Sequence, residues 1–412
     1  MEKFDVLIVG AGPAGSFAAE LLARGGVSVG LFDGRLPQEP KACGGGVTAK
    51  ALKAWPHLLD AVGRTIGEID MYSPAGKRLH LKLDEPFAVY SRIALDTFLR
   101  ERARAAGAKV IPEKASGRAV KENTAGWSLR TTSGLQFEGA WLVAADGANS
   151  AIAKKLAGAL PPAEMEVAFG YRAPLPVKGE AATVVAFLPG WVGYAWAFPR
   201  LDHVSFGIAT SQDAFHHSSL DGLLWDFMIA YYLSAASESS PDKPATINIW
   251  NQRRRGQAET SAAALTRQQL EQTAQRYAAR IPGLAPRTWD TRRACGQRWA
   301  LLGDAAGFAD PVTGEGIYYA LRSAELFAST YLAGEPLEYE RRWREDFGRE
   351  LQRASQMRRK FYGNFWGAPF TERMIEFARG HRGIRHVLGE LVAGQQGYTD
   401  LKRKLARSAL KP

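Results

Sequence analysis

Cysteine is scarce: Cys43 and Cys295 are the only two among 412 residues. Two thiols cannot build the framework of a disulfide-stapled secreted fold, and they suit a reducing compartment. No run of about eighteen apolar residues occurs, which argues against a membrane-spanning helix. The N-terminus lacks the basic segment, apolar stretch and cleavage site of a leader. The seven histidines show no metal-ligand spacing beside cysteine, and HExxH is missing, so metal chemistry is not expected. There is no Walker motif, no serine nucleophile elbow, no internal repeat and no low-complexity segment. These absences lead to the expectation of a cytoplasmic globular protein.

The chain is long enough for a large core and for two domains. Hydrophobic residues at 46% and charged residues at 23% place it with folded rather than disordered proteins. The formal net charge is +11. It is uneven, since residues 336–412 hold about 17 Lys/Arg against about 9 Asp/Glu. The same tail carries Phe361, Tyr362, Phe365, Trp366 and Phe370. Rings beside cations suit an anionic membrane surface, where aromatics lie at headgroup depth. A solvated helical cap carries the same charge with no partner. Peripheral membrane contact is one expectation, nucleic acid is disfavoured, and Arg253–Arg255 reads as a solvated turn.

The chain is organised around its beginning, FDVLIVGAGPAG at residues 4–15. Residues 6–9 suit a buried strand; the chain then breaks at Gly10, Gly12 and Gly15, and a helical run follows to Leu22. The first glycine allows a tight turn, the second a close approach of backbone to a pyrophosphate, and the third close helix–strand packing. A helix start there offers N–H groups and a positive dipole end to an anion. Asp33 closes the next apolar run, at the spacing of a carboxylate that binds a ribose hydroxyl. β-rich material follows, with a hairpin near 66–90, a helix over 92–106, and strand-like segments from 109 to 145 and from 164 to 210. Helices are expected at 220–233 and 262–280, with a strand between them at 246–250. A second motif, GDAAGFADPVTGEG, begins at Gly303 after a short strand, and a helix runs over 317–332. A nucleotide domain assembled from separated segments fits this order. The expected FAD-binding domain comprises 1–70, 91–160 and 285–335, the substrate domain 71–90 and 161–284, and a helical region 336–412.

The GAGPAG turn with Asp33, Arg92, ADGANS at 145–150 and GDAAGFADPVTGEGI at 303–317 resembles FAD-dependent oxidoreductases of the p-hydroxybenzoate hydroxylase fold. Within that group, KACGGG at 41–46 and YAWAFP at 194–199 are most similar to the geranylgeranyl reductase family. The resemblance implies an α/β fold: a Rossmann-like FAD-binding domain, an inserted antiparallel β-sheet substrate domain and a helical C-terminal region. It also implies that Gly10, Gly12, Ala14 and Gly15 sit at the FAD pyrophosphate and Asp33 at the adenosine ribose. Arg92 would lie near that end. Asp304, Gly316 and Ile317 would hold the ribityl chain and ring, with Ala42, Cys43 and Gly45 beside the isoalloxazine. Gly307 stands where aromatic hydroxylases of this fold commonly carry histidine, which weakens a hydroxylase reading.

Tyr194, Trp196 and Phe198 alternate, so on a strand all three face one way, either as sheet packing or as the wall of a pocket for an apolar chain. The activity implied is hydrogenation of C=C bonds in a prenyl chain on a lipid, chlorophyll-type or quinone substrate. FAD would carry the electrons, and NAD(P)H or ferredoxin would supply them. Cys43 and Tyr194 are candidate proton donors. The alternative is a monooxygenase or halogenase of the same fold.

Overall fold

The computed structural model describes residues 1–35, 41–177, 179–211, 218–236, 249–250, 260–365 and 367–409. The chain forms two interleaved units. One comprises Met1–Lys41, Arg92–Met165 and Arg280–Met357, the other Ala42–Ser91, Glu166–Ala279 and Arg358–Pro412.

The first unit is built on a parallel sheet. Strands Lys109–Ile111, Val29–Phe32, Glu2–Val9, Gln136–Ala144 and Trp299–Leu301 lie side by side in that order, with Cys295–Gly296 antiparallel at the far edge. A hairpin of Ala115–Asn123 and Gly126–Thr131 joins through the start of Gln136–Ala144. Val6, Leu7 and Ile8 are wholly buried, which explains why the opening strand is a continuous apolar run: both faces of a parallel sheet are covered. Helix Pro13–Arg24 follows it and turns Ala14, Phe17, Ala18 and Leu22 inward. Helix Ile317–Leu332 packs beside it, close enough that a Cβ on Gly25 would reach Leu332.

The second unit is a mostly antiparallel sheet. Its order is Gln275–Pro282, Met165–Pro174, His203–Ser211, Gly193–Pro199, Val184–Phe187, Gly63–Tyr72, Arg78–Tyr90 and Gly46–Val47. The pairing of Val184–Phe187 with Gly63–Tyr72 is parallel. Helix Ser218–Ala236 covers one face, where Leu224, Phe227 and Met228 pack on Ala195, Ala197, Phe206 and Ile208.

The α/β class, the FAD-type nucleotide fold and the separate antiparallel sheet agree with expectation, while several boundaries differ. Residues 42–70 belong to the second unit, because Gly63–Tyr72 pairs with Arg78–Tyr90 rather than with the parallel sheet. The tail divides at Met357 and is mostly helical, with a small hairpin, Asn364–Phe365 with Ala368–Pro369, and a turn over 393–400. The helix expected over 262–280 ends at Thr273, and Gln275–Pro282 is a strand. Its alanines suggested a helix, but Tyr277 is buried between exposed neighbours, the period of an edge strand. Residues 246–248 of the expected strand, Arg253–Arg255 and Trp366 lie outside the described residues. Among the described residues no helix is long and apolar enough to cross a membrane.

Candidate active site

In the first unit the glycine turn joins the opening strand to the first helix. Gly10 has φ +103°, and a Cβ there would lie 2.4 Å from the Ala145 carbonyl oxygen, so a side chain is excluded on both counts. A Cβ on Gly15 would come within 1.8 Å of the Gly10 carbonyl oxygen; helix and strand touch there. Gly12 differs. It caps the helix with no side-chain hydrogen bond, and among the described residues a Cβ would meet only Arg92 Nη2, at 3.7 Å. Among the described residues the helix start is therefore uncovered, with a guanidinium at its rim, which is the shape and charge a pyrophosphate needs.

Arg92 is buried, and its fork grips Asp96 one turn later (Nε to Oδ1 2.9 Å, Nη2 to Oδ2 3.0 Å). Arg35 Nη1 pairs with Asp96 at 2.9 Å, and the Arg35 amide donates to Asp33 Oδ1 at 3.2 Å. Arg100 pairs with the other Asp33 oxygen. Asp33 and Arg92 thus belong to one ladder of alternating charge, Arg100–Asp33–Arg35–Asp96–Arg92. Arg35, Asp96 and Arg100 were missed from the sequence. The signal was there, since residues 92, 96 and 100 repeat at the spacing of one helix face.

The second motif meets the first within this unit. A Cβ on Gly303 would lie 3.3 Å from that of Ala14, and one on Gly316 3.0 Å from Asp304 Oδ1. Asp304 therefore stands at the start of helix Ile317–Leu332, whose cap Gly316 contributes no side-chain bond. Ser150 caps helix Ala151–Ala157 by accepting from the Ala153 amide at 2.8 Å, so the Asp146-Gly147 segment ends in a helix start.

In the second unit the glycine loop and the aromatic strand lie together. Gly45, with φ +83°, would carry a Cβ 2.2 Å from the Tyr90 carbonyl oxygen, and its own oxygen accepts from the Tyr90 amide at 2.9 Å. The Cys43 thiol accepts from the Gly45 amide at 3.3 Å. Ala42 and Cys43 are half-buried. Tyr194, Trp196 and Phe198 form a row, with centroids 6.0 and 6.4 Å apart, that continues to Phe87 at 6.2 Å. Ala195 and Ala197 face the opposite way, into the helix-covered core, which is the alternation read from the sequence. A Cβ on Gly44 would touch Phe198 at 3.3 Å and Trp196 Nε1 at 3.4 Å. That indole nitrogen is buried without a hydrogen-bond partner among the described residues. The rings are tilted to one another, by 53° between Tyr194 and Trp196 and 39° between Trp196 and Phe198, and the glycine loop packs against them. Tyr194 and Phe198 stay partly exposed and can border a planar ring or an apolar chain.

The FAD binding domain model matches residues 3–330, which fits the glycine turn, the Gly303-Asp304 motif and the parallel sheet. The chain is 30% identical over 359 residues to a chloroplastic geranylgeranyl diphosphate reductase of Oryza sativa subsp. japonica, covering 81% of this chain and 67% of that protein. It belongs to the geranylgeranyl reductase family. Geranylgeranyl diphosphate reductase of Synechocystis is 29% identical over 393 residues, covering 87% of this chain and 85% of that one. A geranylgeranyl bacteriochlorophyll reductase-like protein of Thermoplasma acidophilum shares the fold, with TM-score 0.72 and 21% identity over 99% of this chain and 100% of that one. The protein is accordingly an FAD-dependent oxidoreductase.

At the end of the aromatic strand, this reductase-family chain places His203 beside Arg200 and Asp202. His203 Nδ1–H donates to Asp202 Oδ1 at 2.8 Å, and Nε2 accepts from Arg200 Nη1 at 3.4 Å. Burial first, then the Arg200 guanidinium, hold the imidazole below its usual range. The unfolded chain therefore takes up this proton before the folded one, near pH 6.5. Stability from this site is present above that pH and is lost as pH falls towards the lower folded value. Thermal melts at about pH 7.5 and about pH 5.5 should show a smaller acid loss for His203→Gln than for the parent.

Proposed function

We propose that this protein hydrogenates carbon–carbon double bonds of a geranylgeranyl-type prenyl chain carried on a lipid, a chlorophyll-type molecule or a quinone. The observation that carries this reading is the row Tyr194, Trp196, Phe198 lying against the glycine loop, an apolar surface suited to an extended hydrocarbon. FAD, reduced by NAD(P)H or a ferredoxin, supplies the hydride chemistry when bound.

The chain's own residues do the rest. Gly10, Gly12, Ala14 and Gly15 receive the pyrophosphate, with Arg92 at the rim, and Asp33 receives the adenosine ribose. Asp304, Gly316 and Ile317 hold the ribityl chain and ring, and Ala42, Cys43 and Gly45 flank the isoalloxazine. The aromatic row orients the alkene and excludes water. Cys43 or Tyr194 places the proton that the second carbon requires. Gly307 in place of histidine, together with relatives named as reductases, favours this reading over an oxygenase or halogenase.

The basic tail supports docking on an anionic membrane, where prenyl lipids reside. Helix Leu401–Ala409 bears Lys402, Arg403, Lys404 and Arg407, and Phe365 and Phe377 are exposed. The test is incubation of the reduced holoenzyme with a geranylgeranyl lipid in vesicles. Mass spectrometry should show a gain of about 2 Da per double bond reduced, the mass of one hydride and one proton. Oxygenated product, or no mass change with any prenyl substrate, would sink the reading.

A further inference from the structure

Arg200 follows the aromatic strand immediately and belongs to no motif singled out above. Its backbone is fixed by the tight turn into strand His203–Ser211, the Arg200 amide donating to the His203 carbonyl at 2.7 Å. The residue is 4% exposed. Nη2 donates to the carbonyl oxygens of Cys43 at 2.7 Å and Gly44 at 3.2 Å, while Nη1 reaches His203 Nε2. Nε is buried with no hydrogen-bond partner among the described residues. Among the described residues the guanidinium makes no ion pair; Asp202 is turned to His203. A desolvated cation held only by backbone carbonyls and a neutral imidazole is costly to keep. The fork reaches two loop carbonyls and an imidazole at once, a geometry a guanidinium supplies, so its task lies at the loop.

We propose that Arg200 is a positioning residue of the active site, fixing the Cys43–Gly45 loop through the Cys43 and Gly44 carbonyls. Gly45 turns the chain at positive φ and the Cys43 thiol accepts from its amide; without the fork, the two carbonyls that shape this turn lose their donor. His203 supports Arg200 in turn. Lysine cannot reproduce the arrangement, because a single ammonium lacks the planar fork that reaches both carbonyls and the imidazole. This inference rests on the reading that the loop borders the flavin ring.

The test compares Arg200→Met and Arg200→Lys with the parent holoenzyme, using readouts that do not depend on turnover. Cys43 is half-buried and Cys295 is 2% exposed, so a thiol reagent applied to folded protein reports Cys43. Labelling should quicken about tenfold in Arg200→Met, the loss expected for charge-assisted hydrogen bonds, and by less in Arg200→Lys. Amide exchange over residues 42–46 should quicken in parallel, with exchange of Val6, Leu7 and Ile8, buried in the other unit, unchanged as the control for global opening. The visible flavin spectrum should shift, and kcat should fall while KM for the prenyl substrate holds. If Arg200→Met does not fold, labelling of Arg200→Lys still decides. Parental labelling and exchange in the folded variants would overturn the proposal. A loosened loop with an unaltered flavin spectrum and kcat would also overturn it, leaving Arg200 a packing residue. A parent enzyme that hydrogenates no prenyl substrate fails the functional reading instead, and the labelling, exchange and spectrum still report on Arg200.

Discussion

Gly15→Ala is expected to yield protein that retains no FAD on purification and is destabilised by about 3 kcal/mol, the upper end for overpacking. The added methyl would stand 1.8 Å from the Gly10 carbonyl oxygen, 3.1 Å from its carbon and 3.2 Å from Ala145 Cβ. Two of these atoms are backbone, so no rotamer change relieves the clash; the first helix must move off the sheet. Gly12→Ala is the informative contrast. Among the described residues its methyl meets nothing nearer than Arg92 Nη2 at 3.7 Å, and φ is −79°, so the fold is spared. The space it fills is the one assigned to the pyrophosphate, and FAD affinity should fall about tenfold or more, about 1.4 kcal/mol. Flavin absorbance of the purified proteins and thermal melts of the apoproteins separate the two effects. Parental affinity in Gly12→Ala would remove the pyrophosphate from this turn.

The second large effect is expected at Gly207. This residue pairs with Trp196 across the sheet and with Gly170 on its other side, so the indole lies in a trough without side chains. A Cβ on Gly207 would sit 2.2 Å from Trp196 Cζ2. The ring cannot retreat the other way, because Gly44 borders it there. Gly207→Ala should therefore expel the indole and raise KM for prenyl substrates about tenfold or more, from a strain of roughly 1–3 kcal/mol. FAD content should fall less than in Gly12→Ala, since the glycine turn assigned to the pyrophosphate lies in the other unit, while Gly44, next to the residues assigned to the ring, borders the indole. Trp196→Phe introduced into Gly207→Ala shortens the ring and should restore part of the loss, read as a coupling in a double-mutant cycle. If Gly207→Ala lowers FAD content but leaves KM unchanged, the aromatic row is not the substrate wall.

How much was legible follows from the range of the interactions involved. The opening turn was readable because strand, turn and helix are adjacent in sequence and each glycine has a local task. The helix at Ile317–Leu332 and the facing of Tyr194, Trp196 and Phe198 were readable because periodicity is local too. Residues 42–70 were placed with the wrong unit because their sheet partners, Arg78–Tyr90 and Val184–Phe187, are set by tertiary pairing. The end of the helix at Thr273 was missed because alanine-rich edge strands mimic helices in composition. Arg200 was invisible for a similar reason. Nothing in its own neighbourhood shows that a loop more than 150 residues earlier supplies its acceptors.

The central position of the opening strand also has a bearing on synthesis. Glu2–Val9 is synthesised well before one of its two neighbours, Gln136–Ala144, whose Trp141 lies opposite Val6. At typical elongation rates of about 5–20 residues per second, that partner emerges about 7–27 s later. During this interval one edge of a strand made of Val6, Leu7, Ile8 and Val9 has no permanent neighbour. Slow long-range pairing of this kind exposes an aggregation-prone edge, so the nascent chain is predisposed to depend on chaperones, and slower translation before residue 136 would lengthen the exposure.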